Sequence, residues 1–169
     1  MDFIKELNDA RDLVEWCFRE CGLNPSEHIT MVEWNHRFTR RMGDASMRTT
    51  RWGGKTRRIR LSAPLWPRAT AEERRQTVIH EACHIIDGVI NGYMSGHKEP
   101  WKRLMRKCGL QPKRCHNVNR EGLRRTNKRV AASCHCGAVD SLGSTQAGRL
   151  RKGTTSYSCR KCKSQITLV

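Results

Sequence analysis

Thr70-Ala71-Glu72-Glu73, running on to His80-Glu81-Ala82-Cys83-His84, is the stretch that decides how this chain folds. Thr70 and Glu73 have the spacing of a capping box, in which each side chain bonds the backbone N–H of the other residue. From Ala71 to Val89 there is no proline, and no glycine before Gly88. Val78, Ile79, Ala82, Ile85, Ile86 and Val89 recur at helical spacing. The pattern predicts a helix over 70–91 with one buried side, ended by Gly88, Asn91 and Gly92.

Residues four apart on a helix share a face, so His80 and His84 can present two imidazoles to one metal ion. The pattern H-E-x-x-H is that of zinc peptidases. Zinc lowers the pKa of a bound water from ~15.7 to about 7, and Glu81 is placed to take the proton of that water and pass it to a leaving amine. The competing reading is a core helix that happens to carry two histidines. A catalytic zinc needs a third protein ligand and one open position. In Gly96-His97-Lys98-Glu99-Pro100-Trp101, His97 is the nearest histidine downstream and Glu99 its competitor. Pro100 to Met105 reads as the start of a helix over 100–108, which leaves His97 in a loop able to fold back on the motif. Cys83 needs no catalytic role, and Tyr93, the tyrosine nearest the motif, is read as a packing residue.

A second constellation lies near the C-terminus. Cys134-His135-Cys136 and Cys159-Arg160-Lys161-Cys162 form two paired-thiol knuckles with twenty-two residues between Cys136 and Cys159. Cys134, Cys136, Cys159 and Cys162 read as a four-thiolate structural zinc site. The intervening glycines and the run Thr154-Thr155-Ser156-Tyr157-Ser158 predict short strands and turns. A segment of about forty residues buries too little apolar surface to fold alone, so metal supplies much of its stability. Disulfides are the alternative, but the odd count of nine cysteines and their mixed spacings, with no signal peptide at the start, favour a reducing compartment. Cys17 and Cys21, four apart on a first helix over 2–22, are read as small buried residues, and a third metal site from Cys108 and Cys115-His116 as the lesser alternative.

His80-Glu81-x-x-His84 followed by Gly96-His97-x-x-x-Trp101 at the head of a helix resembles the SprT-like family, which includes the Spartan proteases that degrade proteins crosslinked to DNA. Glu33-Trp34-Asn35, Arg41 to Ala45 and Arg58-Ile59-Arg60-Leu61-Ser62 are similar to the family's strands, and the cysteine pattern to its zinc ribbon. The resemblance covers nearly the whole chain; it departs at Lys98, where the family often has glycine. It implies an α+β, zincin-like minimal metalloprotease domain, with helices packed on a small, mainly antiparallel sheet, followed by a small β zinc ribbon. It implies one catalytic and one structural Zn²⁺.

Strands are expected over 29–38, 57–62 and around 44–51, with a turn at Gly53-Gly54. The expected domains are a protease domain over 1–112, a basic linker over 113–130 and the ribbon over 131–169. The net charge is +17, and it is unevenly spread. Residues 34–68 carry ten bases and one acid, and residues 102–169 carry seventeen bases and two acids. Such surfaces repel themselves and suit a polyanion, and the excess of arginine over lysine suits phosphate. DNA is therefore the expected partner, with single-stranded or junction-containing forms slightly favoured, through Arg57, Arg58, Arg60, Lys113, Arg114, Arg124, Arg125, Lys128 and Arg129. Trp52 and Trp66 lie in or beside this basic hairpin; core packing is the first reading for both and base stacking the second. No apolar run approaches the ~20 residues of a membrane span. The expectation is a monomer in the cytoplasm, nucleoid or nucleus that acts on proteins held at DNA. A nucleic-acid-binding regulator with a vestigial metal site is the alternative; a retained Glu81, useless to a structural site, favours the enzyme.

Overall fold

The computed structural model describes residues 1–113, 118–119, 121–123 and 128–169. Arg114, Cys115, His116, Arg124 and Arg125, all singled out above, lie outside the described residues. The chain divides into two compact units, Met1–Arg124 and Arg125–Val169.

In the first unit, α1 (Phe3–Glu20) starts on the Asp2 carboxylate, which accepts from the N–H groups of Ile4 and Lys5. Three strands follow: β1 (Thr30–Asn35), β2 (Gly43–Thr49) and β3 (Lys55–Ser62). They form one sheet in the order β1-β3-β2. β2 and β3 are an antiparallel hairpin, while β1 runs parallel to β3 from Thr30↔Arg57 to Asn35↔Ser62. This sheet is thus evenly mixed, where a mainly antiparallel one was expected. The hairpin follows from local turn chemistry, but β1 pairs with β3 and not with β2, the next strand in sequence, a non-local pairing that no turn signal encodes.

α2 (Ala71–Asn91) begins with both halves of the capping box formed: Thr70 Oγ1 accepts from the Glu73 N–H, and the Glu73 carboxylate accepts from the Thr70 N–H. Gly92, at φ 80°, stops it in the left-handed region that a side chain disfavours. α3 (Glu99–Lys107) follows a short loop. The core gathers Val14 and Phe18 of α1, Ile59 and Leu61 of β3, Val78, Ile79, Ile85 and Ile86 of α2, and Trp101 and Met105 of α3. Trp66 is buried as well, and its indole N–H donates to Glu6 at 2.8 Å. β2 is one of the sheet's two edge strands and packs on α2. A Cβ on Gly43 would stand 3.0 Å from Glu81 Cγ, and one on Gly88 would stand 2.8 Å from Met47 Cε. Two glycines, one on each element, allow this close approach.

The second unit holds β4 (Arg129–Ser133), β5 (Ser141–Gly143), α4 (Ser144–Arg151) and β6 (Thr167–Leu168), with the strands ordered β5-β4-β6 and all antiparallel. α4 corrects the expectation of strands and turns only. Gly148 sits inside it, and only Ala147 is fully buried, so the segment shows little apolar periodicity. The buried set is small: Ala132, Leu142, Ala147, Cys159 and Ile166. Among the described residues, no helix is long and apolar enough to cross a membrane.

Candidate metal centre

His80 and His84 lie one turn apart on α2, and His97 comes from the loop between α2 and α3. Their ligand nitrogens all lie within 4.8 Å of one another. His97 Nε2 is 3.1 Å and His84 Nε2 is 3.3 Å from His80 Nε2. Burial, with the neighbouring His97, pulls the His84 imidazole down to about 4, which keeps it in the neutral form that ligates metal.

Two residues that the sequence reading did not assign to the site hold this arrangement. Trp101 is 1% exposed. Its ring stacks on His84 at 5.3 Å and meets His80 and His97 edge-on at 4.8 and 4.7 Å. Asp87, three residues beyond His84 on α2, is fully buried. Its carboxylate accepts from the Asn91 side-chain amide and the Ser95 backbone N–H, so the loop that carries His97 is tied to the helix that carries the other two histidines. Trp101 was marked in the sequence as the tryptophan of Gly96-His97-x-x-x-Trp101, but not its contacts, and Asp87 had no signal beyond position, because both roles depend on which residues meet in space.

Glu81 is 8% exposed. Burial, reinforced by the charge of Asp44 and opposed by Arg41, pushes its carboxyl up to about 8. It packs against Gly43 of β2 and lines a cleft of about 710 Å³ with the three histidines, Arg41, Asp44 and Lys113. Glu99, the competing third ligand, is instead exposed and 2.8 Å from Arg106. Tyr93 is 63% exposed, which corrects its reading as a packing residue: the Gly92 stop turns the chain outward at that point.

The four C-terminal thiols also converge, with Cys134, Cys136, Cys159 and Cys162 sulfurs all within 4.8 Å of one another. Both knuckles turn through a left-handed residue, Gly137 at φ 69° and Lys163 at φ 60°. Hydrogen bonds from the Ser164 side chain and backbone pull the Cys162 thiol down to about 5, toward the thiolate that binds metal. Among the described residues these are the two groups with metal-ligand spacing. Cys17, Cys83 and Cys108 are buried free thiols and Cys21 is half-buried. The neighbouring Cys108, together with burial, pushes the Cys17, Cys21 and Cys83 thiols up, a convergence that the helical spacing of Cys17 and Cys21 did not reveal.

The basic residues fall into three groups. Arg60 forms a two-point pair with Asp44, at 2.8 and 2.6 Å, and lies over the Phe38 ring, so its guanidinium is held within the protein. Arg58 is an exposed partner of Glu33 at 3.5 Å, and Arg57 is half-buried with its Nε unpaired. Lys113 lines the cleft. Lys128 and Arg129 lie at the start of the second unit, where Arg129 bonds Ser141.

A model of the SprT-like family matches residues 9–121. The match takes in all three histidines and Glu81, and it stops short of the four cysteines, a narrower reach than the near-whole-chain resemblance expected. Protein SprT of Pseudomonas entomophila (strain L48) is 32% identical over 107 residues, 62% of this chain and 64% of that protein. Protein SprT of Pseudomonas fluorescens (strain Pf0-1) is 32% identical over 110 residues, 64% of this chain and 66% of that protein. Protein SprT of Shewanella oneidensis (strain MR-1) is 29% identical over 94 residues, 55% of this chain and 58% of that protein. The chain therefore spans a little under two thirds of the length of these relatives.

Proposed function

This chain belongs to the SprT-like family, and on that premise we propose that it is a zinc-dependent endopeptidase of zincin-like fold that cleaves proteins bound or crosslinked to DNA. The observation that carries the proposal is three imidazoles converging beside a buried carboxylate in an open cleft. His80, His84 and His97 would hold the zinc ion, their neutral nitrogens matching its preference. The ion supplies Lewis acidity, which makes water a competent nucleophile near neutral pH and polarises a carbonyl.

The remaining work falls to the protein. Glu81 acts as general base and then as general acid toward the departing amine. Its raised pKa suits it to hold a proton between the two steps. The unpaired edge of β2 from Gly43 to Ala45 borders the cleft, and an extended substrate can add to it by main-chain hydrogen bonds, which recognise no particular side chain. Arg41 and Lys113, also on the cleft wall, favour acidic or DNA-adjacent substrate segments.

The C-terminal unit serves as a zinc ribbon over 131–169, joined by a basic linker over 113–130 to the protease domain. Its four thiolates close the coordination sphere and leave no position for chemistry. The net charge of +17 brings the chain to DNA and concentrates it on DNA-bound proteins. Reduced thiols at this site imply an intracellular reducing compartment. The proposal is tested by incubating the zinc-loaded protein with a DNA-binding protein, with and without DNA, beside Glu81→Gln. Cleavage confined to the wild type and raised by DNA supports it.

A further inference from the structure

The five tryptophans of this chain part company at one position. Trp66 and Trp101 are buried at 2% and 1% exposure, and Trp16 and Trp34 pack against the core. Trp52 is 90% exposed. It stands at the tip of the β2–β3 hairpin, in a loop closed by hydrogen bonds from the Thr50 N–H to the Gly54 carbonyl at 2.7 Å and from the Gly53 N–H to the Thr50 carbonyl at 3.0 Å. Gly53 supplies the left-handed residue, φ +80°, that lets the loop close. The Arg51 guanidinium lies 6.0 Å from the Trp52 ring centroid, at the outer limit of cation–π contact, so almost the whole indole faces water.

The charged residues of the hairpin segment around this ring are all basic. From Ser46 to Arg58 the chain carries Arg48, Arg51, Lys55, Arg57 and Arg58 and no acid. Arg48, Arg51 and Lys55 are exposed around the loop. Arg60, by contrast, is taken up by Asp44, which moves the available positive charge toward the hairpin tip. A flat apolar ring set among cations matches a nucleobase with its phosphates. An acidic protein surface would answer the charges and leave the ring unmatched.

We propose that the hairpin tip is a docking element for single-stranded DNA, in which Trp52 stacks on an unpaired base while Arg48, Arg51 and Lys55 hold the flanking phosphates. The proposal rests on the DNA-directed reading above and adds to it the element and the form of DNA engaged. Base faces in a duplex are covered by their neighbours, so the ring gains a partner only where bases are unpaired.

The test uses the full, zinc-loaded chain. Affinity for a labelled oligothymidylate and for a blunt-ended, two-stranded duplex is measured against salt for wild type, Trp52→Ala, Trp52→Phe and the triple change Arg48→Ala, Arg51→Ala, Lys55→Ala. An exposed ring contributes no core packing, so Trp52→Ala keeps the wild-type melting temperature. It is expected to lose about 5- to 150-fold on oligothymidylate, to bind duplex as wild type does, and to keep the wild-type salt slope. Trp52→Phe retains most of the affinity. The triple variant flattens the salt slope on both DNAs. If the wild type binds DNA with a steep salt slope and Trp52→Ala is unchanged, or weakened equally on both DNAs, the stacking proposal is overturned alone. If the wild type binds neither DNA, the DNA-directed function fails and stacking fails with it.

Discussion

The indole N–H of Trp101 donates to the backbone carbonyl of His80 at 3.3 Å, and the two ring centroids stand 4.8 Å apart. One residue of α3 thereby holds the backbone of the first histidine and touches the rings of all three. Trp101→Ala is expected to cost about 3–5 kcal/mol of stability and to release metal from the histidine site. Trp101→Phe keeps a smaller aromatic ring and loses the hydrogen bond, worth ~1 kcal/mol. Chemical denaturation and metal analysis of both variants separate the ring's contribution from the bond's.

Asp87 acts on His97 at one remove. Asp87→Asn puts an amide N–H where the carboxylate now accepts from two donors, a buried mismatch of about 1–3 kcal/mol. Zinc affinity at the histidine site should fall by roughly 10–100-fold, the usual scale for partners that orient a ligand. Competition with a chromogenic chelator measures it, and the thiol site should hold its metal as before.

Gly43→Ala probes the base. The added Cβ would lie 3.0 Å from Glu81 Cγ and 3.2 Å from its Oε1, so the carboxylate must shift. Displacement of a catalytic group by about 1 Å can cost 10²-fold in rate. The expected result is proteolysis lowered by about one to two orders of magnitude with zinc content unchanged. Loss of zinc would place Gly43 in ligand support instead.

Cys159→Ser tests the second unit. Cys159 is 2% exposed and belongs to a buried set of five among the described residues, so loss of its metal should unfold the second unit. Hydrogen exchange should become fast there and stay slow in α2, and metal analysis should fall from two zinc ions per chain to one. A wild-type chain that holds a single zinc contradicts this assignment.

Much of the first unit was legible because its signals are local. The capping box at Thr70 and Glu73, the glycine stop at Gly92 and the period of apolar residues from Val78 to Ile86 each act within a few residues, and α2 lies where they put it. The partners of α2 were not legible. Asp87 reads as one more polar residue on a helix, Gly43 as one residue of a strand-like segment, and Trp101 as the motif tryptophan at the head of α3, until the fold sets them around Glu81 and the histidines. α4 was missed because Ser144–Arg151 is mostly polar and contains Gly148, so its helix depends on packing Ala147 beneath β5. Trp52 and Trp66 show the limit most plainly: the same residue type, fourteen positions apart, is solvent-facing in one case and buried against Glu6 in the other.

The central claim is that Glu81 is the base of a zinc-dependent protease directed to DNA-bound proteins. The most direct measurement compares wild type with Glu81→Gln, both assayed for zinc, on a DNA-binding protein substrate with and without DNA. The account predicts equal zinc in the two proteins, cleavage by the wild type that DNA increases, and a loss of about 10²–10⁴ in rate for the variant. A fully zinc-loaded wild type that cleaves no substrate under either condition, or a Glu81→Gln variant that cleaves as fast as the wild type, would contradict it.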